Sequence, residues 1–324
     1  MQIDDFSTRF LYHPAVRAAA VAVIALGTRA DAATLLVSDV NNHVIRGYNP
    51  TTGVFTGNFT SGATLSSPYD MTVGPDNNLY VADFNLNSVL KFNGTTGAFI
   101  SNFATATAPY GVKFGPNGNL FVGVSGGAVQ QFNGTTGAAL GTFVPAPASG
   151  DFGGMAFSNG SLFVTYLGTA SGQGALYRYN AATGAAVGAN GGKLYDQFAQ
   201  GNGPRSPAVG PDGDVFVPVW QSRTVVRFDA AAGYALQGNA VNDVSISPYA
   251  LLFDSVGLLD VLDTATSSVR RYDPTTGAYF GNLVSPGGGG LGFGTSIVLI
   301  PEPSALALVG VAGVMLRRTR RAAR

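Results

Sequence analysis

The residues closest to a chemical site are three aspartates that share one position in a repeated segment. They are Asp39, Asp83 and Asp263, and each follows a short apolar run. Three carboxylates facing one sector of a rim would offer Ca²⁺ the oxygen ligands that it takes. In the alternative, which we favour, each carboxylate ends its strand by capping the turn that follows. The equivalent positions of the other repeats support this alternative, because they hold Val124, Tyr166 and Val219. We therefore expect no cofactor, with Ca²⁺ as the option that stays open.

Four aromatic residues form a second candidate site. Tyr69, Tyr110 and Tyr249 lie at equivalent positions in "SPY", "APY" and "SPY", and Trp220 lies in "PVWQS" just past a strand. Grouped around one opening, such rings would stack on a sugar or another flat ligand. In the alternative, the rings pack the loops between neighbouring repeats. We favour this packing interpretation for the tyrosines, whereas the position of Trp220 fits either role.

Residues for acid–base catalysis are scarce. Between residues 33 and 300 the chain has a single histidine, His43, and no glutamate, because its only glutamate is Glu302. General acid–base catalysis and metal binding draw first on His, Glu and Asp. His43 lies in "VNNHVIR" on a hairpin between two strands, where we predict an ordinary exposed loop residue. The sequence therefore identifies no catalytic residue.

One turn recurs six times along the chain. Its copies are "YNPTTG", "FNGTTG", "FNGTTG", "YNAATG", "FDAAAG" and "YDPTTG", which begin at Tyr48, Phe92, Phe132, Tyr179, Phe228 and Tyr272. Each copy has an aromatic that can pack inward, then an Asn or Asp able to bond its own backbone two residues on, and a closing Gly suited to positive φ. This pattern predicts a hairpin turn between two short strands.

A second turn, such as "GPDNN" from Gly74 and "GPNGN" from Gly115, alternates with the first. Each period of 40 to 49 residues therefore holds four strands, as a propeller blade does. We predict an all-β, six-bladed β-propeller over residues 33–300. The first copy lacks its innermost strand, and residues 296–300 match that strand. They are predicted to lie beside residues 35–38 and close the ring, which would remove an open sheet edge.

The repeat "SPYDMTVGPDNNLYVADFNLNSVLKFNGTTGAF" resembles NHL-type propellers and their relatives, the gluconolactonase and streptogramin-lyase families. The resemblance covers about residues 34–300 and implies the propeller fold. Streptogramin-lyase relatives depend on His and Glu near the central channel. Gluconolactonase relatives hold a divalent cation with a Glu, an Asn and an Asp. Neither set can be placed on this sequence, so the resemblance does not carry an activity over.

The N-terminal 32 residues have the pattern of a secretory signal peptide. Arg9 and Arg17 precede a short apolar stretch, and Ala30-Asp31-Ala32 matches a small-x-small cleavage site. The alternative is a buried N-terminal helix. We favour the signal peptide and expect the mature protein to begin at Ala33 and to be exported.

Residues 301–324 combine a Pro-Glu-Pro, an apolar segment and an arginine cluster. The arginines are Arg317, Arg318, Arg320 and Arg321. The apolar segment, 304–316, would reach about 20 Å as a helix and span a membrane only marginally. The arginines would hold its end in the cytoplasm. This arrangement resembles PEP-CTERM sorting signals. The resemblance implies that Pro301, Glu302 and Pro303 are recognised by an exosortase-type enzyme, which removes the tail after transient insertion in the inner membrane. An unprocessed weak anchor is the alternative.

Charge completes the sequence picture. Residues 33–300 carry 10 Lys and Arg against 14 Asp, and this mildly acidic balance argues against a nucleic-acid partner. We expect an exported, non-enzymatic propeller that binds or scaffolds at the cell surface or in the extracellular matrix, with a polysaccharide or another surface protein as partner. The alternatives are a hydrolase or lyase acting on a lactone or glycan, and a protein–protein adaptor, which fits the fold but not the export signals.

Overall fold

The computed structural model describes residues 33–148, 150–168, 174–198 and 203–301. This part of the chain is all-β and forms six four-stranded antiparallel sheets, so the six-bladed propeller is confirmed. Its helical content, within the described ranges, is two short 3₁₀ turns at Asn190–Gly192 and Gly288–Gly290. The predicted signal peptide and the tail beyond Pro301 lie outside the described residues.

Blades 1 to 3 are given from the first strand outward. Blade 1 contains β24 (Gly294–Pro301), β1 (Ala33–Asp39), β2 (Val44–Tyr48) and β3 (Phe55–Asn58). Blade 2 contains β4 (Pro68–Val73), β5 (Leu79–Asp83), β6 (Ser88–Phe92) and β7 (Phe99–Thr105). Blade 3 contains β8 (Pro109–Phe114), β9 (Leu120–Val124), β10 (Val129–Phe132) and β11 (Ala139–Val144).

Blades 4 to 6 repeat the same order. Blade 4 contains β12 (Asp151–Ser158), β13 (Ser161–Leu167), β14 (Gly174–Asn180) and β15 (Lys193–Phe198). Blade 5 contains β16 (Ala208–Val209), β17 (Val215–Val219), β18 (Thr224–Asp229) and β19 (Ala235–Asn242). Blade 6 contains β20 (Pro248–Phe253), β21 (Leu259–Asp263), β22 (Ser268–Tyr272) and β23 (Tyr279–Val284).

The strands at the two ends of the described chain share a sheet. β24 pairs antiparallel with β1, and Ile297 lies opposite Val37 while Leu299 lies opposite Leu35. β24 also contacts β4 and β20, the first strands of the two flanking blades. First strands of other neighbouring blades contact each other as well, for example β4 with β8 and β8 with β12. The space that the first strands enclose is called the channel below.

The repeated turn folds as its residues predict. In every copy the Asn or Asp side chain accepts the backbone N–H groups two and three residues on, as Asn49 does from Thr51 and Thr52 at 2.9 Å. The closing glycines have φ between 67° and 74°, a region that side chains with a Cβ rarely adopt. The aromatic residue that opens each copy is buried. These turns set the hairpin between the third and fourth strands of each blade.

The hydrophobic core lies between the blades. Six clusters of buried side chains join neighbouring sheets, for example Ile45 of blade 1 with Met71 and Phe92 of blade 2. Burying such side chains stabilises the fold by about 1.5–3 kcal/mol each. Because each blade packs on two others, the ring holds the first strands, and the residues on them, in fixed positions around the channel.

Candidate functional site

The three aspartates at the rim, Asp39, Asp83 and Asp263, are all fully buried. We call them the rim aspartates. Each lies at the end of the second strand of its blade and accepts hydrogen bonds from the loop that leads into the first strand of the same blade. Asp83, for example, accepts the N–H of Ser66 at 2.7 Å and that of Ser67 at 2.9 Å. The rim aspartates therefore tie the entry loop of a blade to its second strand.

The other two rim aspartates bind in the same manner and also pair with arginine. Asp39 accepts the N–H groups of Gly292 and Phe293 and the Nε–H of Arg46 at 2.7 Å. Asp263 accepts the N–H of Ser247 at 2.7 Å, and its Oδ2 lies 3.2 Å from Arg270 Nε.

The electrostatics of Asp39 reflect these donors. Burial alone would raise the pKa of Asp39, but the N–H of Gly292 and the guanidinium of Arg46 outweigh it and hold the pKa below its usual value of 3.8. Across the described ranges, no three His, Cys, Asp or Glu side chains are grouped closely enough to hold a metal ion. The structure thus places the rim aspartates apart and uses each one to order its own blade.

The structure brings the three predicted tyrosines together at one end of the channel. The rings of Tyr69 and Tyr110 lie 4.4 Å apart, and Phe84 packs 5.5 Å from each. Tyr249 lines the same space and packs against Phe293. Burial raises the pKa of Tyr249 to about 12, which the positive charge of Arg205 partly opposes. Burial likewise raises the pKa of Tyr110, with Tyr249 and Tyr69 adding to the effect.

Trp220 joins these tyrosines through Arg205, a residue that sequence reasoning missed. The Arg205 guanidinium carbon lies 4.8 Å from the ring centre of Tyr249 and 5.3 Å from that of Trp220. Trp220 also donates its indole N–H to Thr264 at 2.8 Å. The aromatic strip, as we call it, comprises Phe84, Tyr69, Tyr110, Tyr249, Arg205 and Trp220.

The tyrosines narrow the channel at this end. The space between Tyr69, Tyr110 and Tyr249 measures only about 10 Å³, roughly the room that one water molecule needs. No ligand passes between the rings without moving them. Within the strip Tyr249 is buried, whereas Tyr69, Phe84, Tyr110 and Trp220 are half-buried.

Beyond this narrow end the channel widens into a cavity of about 400 Å³. All six first strands or the residues just before them line it, including Thr72, Ala156, Ala250 and Val298. This volume lies in the range of small-molecule pockets, about 300–1,000 Å³.

One ion pair lies in the cavity wall. Lys113 Nζ is 2.9 Å from Asp70 Oδ2, and the side chains are 25% and 9% exposed. Asp70 also accepts the N–H of Met71 and of Val112 at 2.9 Å, and the hydroxyl of Ser296 at 2.7 Å. The carboxylate thereby joins β4, β8 and β24, the first strands of three blades.

Asp70 and Lys113 were missed by the sequence analysis, although the sequence holds a signal for them. Where "SPYDMTV" has Asp70, "APYGVKF" has Gly111 and "SPYALLF" has Ala250. Where "APYGVKF" has Lys113, the other two have Thr72 and Leu252. Both charged residues depart from the repeat on first strands, and both line the cavity.

The remaining predicted residues lie outside the aromatic strip and the cavity or outside the described residues. His43 is exposed on the hairpin between β1 and β2. Pro301 is the exposed last residue of β24, whereas Glu302, Pro303 and the four tail arginines lie outside the described residues. Among the described residues, no helix has the length and hydrophobicity needed to cross a membrane.

Comparison with known proteins identifies the fold. No protein-family model matches the chain, and no curated protein matches its sequence. A chain of the nidogen/laminin complex is 12% identical, with a TM-score of 0.65, over 83% of this chain and 98% of that one. The periplasmic gluconolactonase of Pseudomonas aeruginosa is 17% identical, with a TM-score of 0.58, over 84% of this chain and 99% of the enzyme.

A protein of unknown function from Bacteroides caccae is 15% identical, with a TM-score of 0.61, over 84% of this chain and 100% of that one. At these identities the likeness establishes the fold alone. Propellers of both kinds, binding and enzymatic, stand among the neighbours, so the fold does not decide between the two.

Proposed function

We propose that this chain is an exported, non-enzymatic binding propeller that a C-terminal signal directs to the cell surface or the extracellular matrix. The observation that carries the binding role is the aromatic strip, in which Tyr69, Tyr110 and Trp220 are half-buried and the Arg205 guanidinium lies over the rings of Trp220 and Tyr249. Aromatic faces with a polar edge and a fixed arginine are the residues that dominate binding surfaces.

The chemistry of the strip favours an acidic polysaccharide as the partner. Aromatic rings stack on the apolar faces of sugar rings, and a guanidinium forms charge-assisted hydrogen bonds with carboxylate groups. Arg205 is already held by its contacts with Trp220 and Tyr249. It therefore loses little conformational freedom on binding.

Three features support the non-enzymatic part of the proposal. The rim aspartates spend their oxygens on backbone N–H groups and arginines. His43 is exposed on a hairpin away from the channel. Asp70 is engaged by four different residues. The alternative, a lactone or glycan hydrolase or lyase, draws on the likeness to a gluconolactonase. Lactone hydrolysis that responds to a divalent cation would favour that alternative.

Export and sorting rest on the two ends of the sequence. We propose that residues 1–32 are removed on export, and that an exosortase-type enzyme recognises Pro301, Glu302 and Pro303. The arginine cluster would hold the tail at the inner membrane until cleavage. We also propose that β24 closes the ring, so that the tail begins directly after the closing strand.

Mass spectrometry of the protein recovered from the envelope or medium of its native host tests the sorting proposal. We expect the mature chain to end near Pro303, and the variant Glu302→Ala/Pro303→Ala to stay at the inner membrane with its tail. Peptides covering Arg317 to Arg321 in the surface pool would contradict the proposal.

Binding to the strip is tested with alginate, an acidic polysaccharide, and dextran, a neutral one. We expect alginate to bind, and Arg205→Gln to weaken that binding by about tenfold. Arg178→Gln is the matched control, because Arg178 stacks on Tyr234 at the same 4.8 Å but lies outside the strip. Equal loss in both variants, or equal binding of dextran, would contradict the role of Arg205.

A further inference from the structure

The cavity of the channel is lined by a lysine, Lys113, that is not part of the aromatic strip. The ammonium group of Lys113 forms its hydrogen bonds, within the described part of the chain, with Asp70 alone. A lysine ammonium has three N–H donors. Both bonds go to one carboxylate, so donor capacity remains on the side of Lys113 that lines the cavity.

The carboxylate opposite has no comparable capacity left. Besides Lys113, it accepts two backbone N–H groups and the Ser296 hydroxyl, at 2.7–2.9 Å. These bonds occupy about all the lone-pair positions that a carboxylate offers. The polar wall of the cavity therefore presents a hydrogen-bond donor with a positive charge, and it suits a ligand that brings an acceptor.

Apolar side chains form most of the remaining cavity wall, which also includes Thr72, Ser206 and Ser296. The apolar part is formed by Phe114, Ala156, Phe157, Ala208, Ala250, Leu252, Phe253 and Val298. The part of a ligand that packs on these side chains must be apolar, because polar groups buried against them would lack partners. A mostly apolar pocket with a few placed polar groups is the usual composition of a small-molecule site.

Charge along the axis agrees with an anionic ligand. The body of the protein is acidic, with 14 Asp against 10 Lys and Arg between residues 33 and 300. Among the described residues near the axis, two cations stand against one carboxylate: Lys113 lines the cavity beside Asp70, and Arg205 packs on Tyr249, which lines the narrow end. The narrow end and the wide cavity share Asp70 and Ser206 in their walls.

We propose that the cavity binds a small organic monocarboxylate with an aromatic or aliphatic body. Its carboxylate accepts a hydrogen bond from Lys113, and its body packs against Ala156, Ala208 and Leu252. The tyrosines close one end, so the ligand enters from the opposite end, where the first strands terminate. This site is separate from the aromatic strip and does not depend on the proposed polysaccharide role.

Isothermal titration of the full-length chain with phenylacetate, and with the neutral phenylacetamide, tests the proposal. The two probes share size and shape and differ in charge. We expect phenylacetate to bind about tenfold more tightly than the amide. Equal affinity for the two probes, or binding of neither, would overturn the proposal.

Two variants locate the site, and one serves as a control. Lys113→Gln is combined with Asp70→Asn, because a single change would leave a buried charge without its partner. The pair should lose the preference for the acid. Ala208→Phe should fill the cavity and abolish the binding of both probes, and it keeps the test intact if the double variant fails to fold. Lys91→Gln, which removes the same residue type from an ion pair with Asp76 outside the cavity, should bind like the unmodified protein. A preference that survives in the double variant, or binding that survives in Ala208→Phe, would place the ligand elsewhere.

Discussion

The rim and the channel of this propeller both contain buried aspartates, and the two regions use them differently. At the rim, Asp39, Asp83 and Asp263 occupy one repeat position, and each bonds the entry loop of its own blade. In the channel, Asp70 departs from the repeat and joins the first strands of three blades while holding Lys113 at the cavity. The difference teaches that the aspartates at a shared repeat position build the blades, whereas Asp70 and Lys113, which break the repeat, shape the cavity.

The largest effect on both regions is expected from removing β24, the strand on which the rim and the channel both depend. Deletion of residues 294–300 takes away Ile297 and Ile300, which are buried, and Ser296, which bonds Asp70. It also unpairs β1. We expect a loss of about 5 kcal/mol or more in the free energy of unfolding, comparable to the whole stability of many domains.

Thermal unfolding measures this loss, and a chain that ends after Pro301 is the control. The control keeps β24 and should melt like the full-length protein. If the deletion variant also melts at an unchanged temperature, β24 does not close the ring.

Single rim substitutions should have the next largest effect. Asp39→Asn removes the charge partner of Arg46 in a buried pair, and we expect a cost of about 3–5 kcal/mol. Asp196→Asn, on an exposed pair with Lys193, should change the free energy of unfolding by less than about 1 kcal/mol. Urea unfolding of the two variants decides this, and equal losses would mean that the rim carboxylate has no special structural role.

The hydrogen bonds of the rim aspartates also predict how the protein responds to Ca²⁺. Because the rim aspartates are spent on N–H groups and arginines, we expect calorimetric titration to detect no tight Ca²⁺ binding. Tight binding that disappears in Asp83→Asn would restore the metal interpretation of these residues.

Acid should weaken the protein through its aspartates, by a smaller amount for each group. The pKa of Asp39 is lowered, as described above. Burial would also raise the pKa of Asp76, but hydrogen bonds from Lys91 and Asn78 lower it to about 2. A carboxyl group with a lowered folded pKa stabilises the fold above its unfolded value of about 4, and the contribution is lost as the pH falls toward 2.

Melting temperatures measured from about pH 5 to about pH 2 check this, because that window includes both the unfolded and the folded pKa values of these aspartates. We expect a steady decline through that window, with a shallower slope for Asp39→Asn. An identical slope in that variant would show that Asp39 does not contribute to the acid sensitivity.

Much of the fold was predictable because it depends on interactions between residues that are close in sequence. The Asn or Asp and the Gly of each hairpin turn bond and bend within a few residues, so six copies predict six hairpins. Capping by the rim aspartates was predictable for the same reason, since Asp83 bonds Leu86 three residues on. The bonds from each rim aspartate to the entry loop of its blade could not be predicted, because the residues of that loop are distant in sequence.

The candidate site was harder to predict because its contacts are distant in sequence. Asp70 meets Val112 and Ser296 across 42 and 226 residues. The packing of neighbouring blades brings them together, and Arg205 likewise contacts Trp220 near its own blade and Tyr249 of the next. The sequence showed that the three tyrosines are equivalent. It did not show that their rings pack closely enough to narrow the channel, because that depends on how the blades are arranged in space.

The most direct measurement compares phenylacetate affinity in one rim variant and one channel variant. Asp83→Asn should lower the melting temperature and keep the affinity of the unmodified protein, since it leaves the cavity unchanged. Asp70→Asn/Lys113→Gln should lose about tenfold in affinity. An affinity that falls in the rim variant and persists in the channel variant would contradict the division between shared and departing positions.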